Sequence, residues 1–99
     1  MNNEANQRFE VALGDQWAFL AYRWDGDELA LTHTEVPEGY RDQGVGRDLV
    51  SAALQFARRG DHKVNPECPF VAAFIRSNPE YTELVGSTHR SEFELEKSA

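Results

Sequence analysis

The sequence predicts an α/β fold: a mixed sheet opened by an antiparallel three-stranded meander, followed by helix, strand and helix. Three observations carry that reading. Near the N-terminus apolar and polar residues alternate at period two, as half-buried strands require. Asp25-Gly26 lies between two such runs, and Asp-Gly tolerates the positive φ of a tight hairpin. From Val45 the period becomes helical. Val45, Leu49, Ala53 and Phe56 share one face with Val50, Leu54 and Ala57 beside them, while Arg47, Asp48, Ser51, Gln55 and Arg58 fill the other.

The elements follow in order. Residues 1–7 are polar and are expected to fray. Phe9, Val11 and Leu13 alternate with polar or small neighbours and form the first strand, which Gly14-Asp15 ends in a turn. Residues 16–23 are apolar on both faces, Trp17, Phe19 and Ala21 against Leu20 and Tyr22. That predicts a strand inside the sheet, covered on both sides. Residues 28–36 return antiparallel to it, and Pro37-Glu38-Gly39 breaks the chain before a loop and the helix. Gly60 closes that helix after two arginines that suit its dipole. Asp61-His62 turns the chain, and residues 63–68 are short and extended. The crossover is right-handed if the strands it joins are parallel neighbours. Pro69 fits the first turn of a second helix over 70–77, which offers Phe70, Val71, Phe74 and Ile75 for packing. Asn78-Pro79 interrupts it, and Pro79-Glu80-Tyr81 begins a further short turn or helix. Residues 86–99 are mostly polar, with Phe93 and Leu95 between glutamates, and read as an edge strand or a loose tail.

Composition sets the limits. A chain of 99 residues is one domain, 1–99, with a folded part of about 8–85. Such a chain buries somewhat over ~60% of its unfolded surface, enough for one modest core. The net charge of -7 argues against a general affinity for nucleic acid or an anionic membrane and leaves a cationic substrate open. One cysteine cannot form an intrachain disulfide, and the cytoplasm is the simplest compartment. The N-terminus lacks the apolar centre of a signal peptide, and no apolar run approaches membrane-spanning length. One cysteine and three scattered histidines have no zinc-ligand spacing.

The chemistry concentrates at Arg41-Asp42-Gln43-Gly44-Val45-Gly46-Arg47. Glycines at positions 44 and 46 let the backbone turn tightly and approach another surface. The helix that follows points free N–H groups and its positive dipole end the same way, which makes an anion site with Arg41 and Arg47 at its rim. Shaping a loop before an amphipathic helix is the plainer role for the same two glycines. A P-loop is excluded because Arg47-Asp48 stands where Lys-Ser or Lys-Thr belongs. A dinucleotide fingerprint is excluded because Leu49 stands at its third glycine.

The remaining pattern, Arg-x-x-Gly-x-Gly, closely resembles the acetyl-coenzyme A loop of the GNAT acetyltransferase superfamily. His33-Thr-Glu-Val36, Cys68-Pro-Phe-Val-Ala-Ala-Phe-Ile75 and Pro79-Glu-Tyr81 extend the resemblance to a small, N-acetyltransferase domain-containing branch, over roughly residues 9–85. The resemblance implies acetyl transfer from coenzyme A to an amine; the alternatives are a module that binds coenzyme A without turnover and a structural or interaction protein whose loop is empty. A monomer or weak homodimer is expected. The pyrophosphate would meet backbone N–H groups of Asp42, Gln43, Gly44, Val45, Gly46 and Arg47. The pantetheine arm would run along the strand ending at Val36, whose N–H would bind the thioester oxygen, with Phe74 on the other side. The chain has no room for the helical pair that helps build the acceptor site in larger members.

Three side chains are candidates for the chemistry. Cys68 stands at a strand end before a helix N-terminus, where the dipole favours negative charge on sulfur, and this branch carries a cysteine there that has been suggested as its nucleophile. A free cysteine is also commonly a small buried hydrophobe. His33 and Glu35, two apart on a strand, point to one face and form a candidate general base for the acceptor ammonium. Leu29 and Leu31 precede them at the same period, which would bury His33 in part. Tyr81 is a candidate acid for the departing thiolate, and equally an aromatic packed on the sheet. His62 and His89 fall in turn-like or tail segments and read as surface residues.

Overall fold

In the computed structural model, residues 1–86 are described. Five strands pair in chain order: β1 (Asn2–Asn3), β2 (Arg8–Leu13), β3 (Gln16–Asp25), β4 (Glu28–Glu35) and β5 (Val64–Pro66). The first four are antiparallel, and β5 is parallel to β4. Helix α1 (Val45–Arg59) is the crossover between β4 and β5, and α2 (Pro69–Ser77) follows β5. Short 3-10 helices span Glu38–Gln43 and Pro79–Leu84. This is the mixed α/β architecture with an opening meander that the sequence predicts. Among the described residues no helix is long and apolar enough to cross a membrane.

The core lies between the sheet and the helices. Leu20, Leu29 and Leu31 meet Val50 and Leu54 of α1 and Val71 and Ile75 of α2, all with no exposed surface. Gln55 of α1 donates from Nε2 to the Tyr81 hydroxyl at 3.0 Å, and Arg58 donates to the Glu80 carbonyl at 3.1 Å. These bonds tie the second 3-10 helix to α1. The chain then returns to the sheet, where Gly86 N–H donates to the Val64 carbonyl at 2.9 Å. The edge strand or tail expected over 86–99 otherwise lies outside the described residues.

Four expectations are corrected. The N-terminus is paired rather than frayed: Asn2 and Asn3 stand opposite Phe9 and Arg8, and Tyr22 donates its hydroxyl to Asn2 Oδ1 at 2.9 Å. Backbone pairing selects this strand, and two asparagines carry no periodicity that could announce it. Next, β3 is interior to the sheet but covered on one face only. Ala18, Leu20 and Tyr22 are buried, whereas Trp17 is 50% exposed and Phe19 and Ala21 are half-buried. The open face is patched from within, with the Arg8 guanidinium 4.9 Å from the Phe19 ring centre and the His33 ring tilted against Phe19, centroids 6.0 Å apart. His62 is half-buried rather than superficial: its ring packs edge-on to Trp24 and its Nδ1 lies 3.0 Å from the Asp27 carbonyl. A Cβ on Gly60 would sit 2.7 Å from His62 Cδ2, so a larger residue there has to displace that ring.

The fourth correction bears on the site. Ala21 pairs with His33 and Tyr22 with Leu31, so Thr32 is an extra residue in β4. Such a bulge shifts the side-chain phase by one. Leu29 and Leu31 therefore face the core opposite Trp24 and Tyr22, while His33 and Glu35 stand opposite Ala21 and Phe19 on the open face. Leu29 and Leu31 do not share the face of His33 and Glu35, and His33 keeps 62% of its side chain exposed. Thr34 takes the core side beside Leu20.

Burial raises the Tyr22 hydroxyl above the usual tyrosine value of 10.0. A raised value means the folded state holds the proton more tightly, so this contribution is complete below pH ~10 and is lost as pH rises through the folded value. Alkaline unfolding curves of Tyr22→Phe should therefore fall less steeply above pH ~10 than wild type, a difference that urea melts at stepped pH will read.

Candidate functional site

The site forms where β4 ends. Pro37 stops the ladder, and the chain winds through a 3-10 helix to Gly44, the N-cap of α1, at φ 77° and ψ 11°. That left-handed conformation suits glycine. No side chain caps α1, and its first backbone bond runs from Asp48 N–H to the Gly44 carbonyl. The N–H groups of Val45, Gly46 and Arg47 thus have no acceptor within the helix. The 3-10 helix before it engages N–H groups of its own, as Tyr40 N–H donates to the Pro37 carbonyl at 2.9 Å.

Two arginines flank this end. Arg41 donates from Nε to the Val36 carbonyl at 3.1 Å, which braces the strand end against the loop and leaves most of its guanidinium fork uncommitted. The Arg47 guanidinium folds back so that its Nη2 lies 3.2 Å from where a Gly44 Cβ would be. Gly46 carries Phe70 of α2 directly on its backbone, since a Cβ there would meet Phe70 Cζ at 2.9 Å.

A cleft of about 550 Å³ opens between these elements. His33, Thr34, Glu35 and Val36 line one side; Arg41, Gly46, Arg47 and Phe70 line the other. A second hollow of about 440 Å³ adjoins it, sharing Arg47 and Phe70 and continuing along α2 past Phe74 to Asn78. The groove is basic at the helix N-terminus and carries an imidazole and a carboxylate at its far end. His33 Nε2 and Glu35 Oε2 are 3.8 Å apart, beyond hydrogen-bond length but close enough to attract a protonated imidazole.

Most of the residues singled out in the sequence meet here. His33, Glu35, Val36, Arg41, Gly46 and Arg47 line the cleft, and Phe74 lines the adjoining hollow. Asp42 and Gln43 are exposed on the 3-10 helix, and Val45 faces a different space, toward Phe9 and Val11. Cys68 lies behind the wall. It is 4% exposed, donates its N–H to the Leu31 carbonyl at 2.9 Å, and sets its Sγ 3.5 Å from Thr34 Oγ1. Tyr81 is buried against Phe74, with Arg58 above its ring, and does not line the cleft. Sequence reasoning missed two wall residues, Thr34 and Phe70. Thr34 is hidden by the bulge, and Phe70 looks like an ordinary core position of an amphipathic helix.

Residues 8–84 match the family model for GCN5-related N-acetyltransferases. The chain belongs to the GCN5-related N-acetyltransferase family. It is 35% identical to Protein NATD1 of Danio rerio over 89 residues, which is 85% of this chain and 81% of that protein. It is 36% identical to Protein NATD1 of Homo sapiens and of Bos taurus over 63 residues, 63% of this chain. That alignment spans 56% of each, so the chain covers little over half the length of these curated relatives. As an N-acetyltransferase-family chain it has the acetyl-coenzyme A-binding fold, and the corner at Gly44 and Gly46 is the part of that fold suited to an anion.

Proposed function

We propose that this protein is one catalytic domain that moves an acetyl group from coenzyme A to an amine. The polarity of the groove carries the reading. In a chain of net charge -7, two arginines and an uncapped helix N-terminus meet at one end, and a histidine beside a carboxylate stands at the other. The pyrophosphate is held by the N–H groups of Val45, Gly46 and Arg47, with Arg41 and Arg47 closing on it. The pantetheine arm follows β4 past Val36 and Phe70, and the Val36 N–H receives the thioester oxygen as charge develops there. His33, aligned by Glu35, takes the proton of the incoming ammonium from the open face of the sheet. The burial of Cys68 behind Thr34 favours direct attack by the amine over an acetyl-Cys68 intermediate.

Native mass spectrometry after incubation with acetyl-coenzyme A tests this, with wild type beside Cys68→Ala and a panel of primary amines and polyamines. The expected result is bound coenzyme A, an acetylated amine and no covalent adduct on either protein. A hydroxylamine-sensitive adduct on wild type alone would replace direct attack with the acetyl-Cys68 route. Bound coenzyme A without transfer to any amine would favour a cofactor-binding module or sensor. No bound coenzyme A would remove the reading altogether.

A further inference from the structure

Acetyl transfer leaves a coenzyme A thiolate, and that sulfur needs a proton. The inference below rests on the acetyl-transfer reading. Tyr81 is out of position: its ring is buried between Phe74 and Arg58, and it is absent from the cleft lining. His33 stands on the open face of the sheet, where the acceptor amine arrives. The core-side wall offers the Thr34 hydroxyl. The bulge at Thr32 turns Thr34 to that side, where it lines the cleft and lies 3.5 Å from the buried thiol of Cys68.

A threonine hydroxyl alone is a poor acid. Backed by a thiol it becomes a relay. We infer that Thr34 and Cys68 together protonate the departing coenzyme A. The amine nitrogen forms its bond to the acetyl carbon, and the carbon–sulfur bond then breaks with its electron pair on sulfur. The Thr34 O–H proton passes to that sulfur while the Cys68 S–H proton passes to Thr34 Oγ1. The proton that the amine gives up on becoming an amide passes through His33 to solvent; once coenzyme A has left, Thr34 Oγ1 takes a proton from cleft water and hands its own back to the Cys68 sulfur. Coenzyme A leaves as a thiol, both side chains are restored, and nothing is oxidised or reduced. Thr34 touches the reacting sulfur; Cys68 acts through it.

Thr34→Val keeps the side-chain shape and removes the hydroxyl. Release of coenzyme A thiol from acetyl-coenzyme A should fall about 100-fold, with spermidine or with water alone as acceptor. Calorimetric affinity for coenzyme A should stay within about twofold, and Thr34→Ser should restore most of the rate. The deciding substrate is acetyl-selenocoenzyme A, whose selenolate departs without a proton. On it Thr34→Val should run within about threefold of wild type, and Cys68→Ala should follow the same pattern. The double variant should be no slower than either single one, because one relay is lost once. Equal losses on both esters, or no loss on the thioester, would overturn the relay while leaving acetyl transfer in place. Failure of wild type to bind or turn over acetyl-coenzyme A would overturn both readings.

Discussion

Gly46→Leu is expected to fold and to lose coenzyme A affinity about 1,000-fold. Gly46 lines the cleft midway along the groove, with Phe70 Cζ 2.9 Å and Val36 Cγ2 3.6 Å from an ideal Cβ. A leucine there fills the passage between β4 and α2, and it pushes a ligand away from the first-turn N–H groups. Each hydrogen bond from such a group to a charged oxygen is worth roughly 1.5–3 kcal/mol, so two lost bonds account for the magnitude. Folding should survive because leucine is a good helix former and Phe70, 43% exposed, has solvent to move into. Calorimetry with coenzyme A measures the loss, and circular dichroism verifies the fold. Gly39→Ala is the control: a Cβ there meets nothing within 4 Å, and Gly39 has no part in the cleft, so affinity should not change. Unaltered affinity in Gly46→Leu would place the cofactor elsewhere.

The second large effect is on stability. Leu54→Ala should lower the unfolding free energy by about 3 kcal/mol and the melting temperature by roughly 15 °C. Leu54 has no exposed surface and stands in the middle of α1, between the sheet and α2. Leucine and alanine are both favourable in helices, so the change isolates packing from propensity. The cost is the transfer energy of the deleted carbons and the cavity they leave. Chemical melts should show an earlier midpoint with an unchanged slope, because the surface exposed on unfolding barely differs. A loss below ~1 kcal/mol would mean that α2 closes the gap by moving toward α1.

Much of this architecture was legible because it rests on local rules. The stripe of Leu49, Val50, Ala53, Leu54 and Ala57 has a helical period, and these residues are the buried face of α1. Asp25-Gly26 announced a hairpin, and Gly26 lies at φ 65° between β3 and β4. Pro69 opens α2 where a proline costs no helix bond. What was not legible depends on partners distant in sequence. Asn2 and Asn3 become a strand because β2 offers them an edge. Trp17 and Phe19 read as buried because their own strand is apolar on both faces, and composition cannot say on which side helices will pack. A bulge at Thr32 has no glycine or proline to mark it. It is defined by the register against β3, yet it decides where His33, Thr34 and Glu35 point.

By itself the sequence determined the order of the elements from β2 to α2, the glycine corner with its two arginines, and the family to which they belong. Those features are set by backbone conformation and by spacing along one stretch of chain. The tertiary structure alone decided which side chains share the groove. It turned His33 and Glu35 outward, set Thr34 in front of the Cys68 thiol, withdrew Tyr81 beneath Arg58, and laid Phe70 on Gly46. The physical reason is that strand register and helix packing are settled by contacts between segments far apart in the chain, and each residue's neighbours across those contacts are not encoded in its own window of sequence.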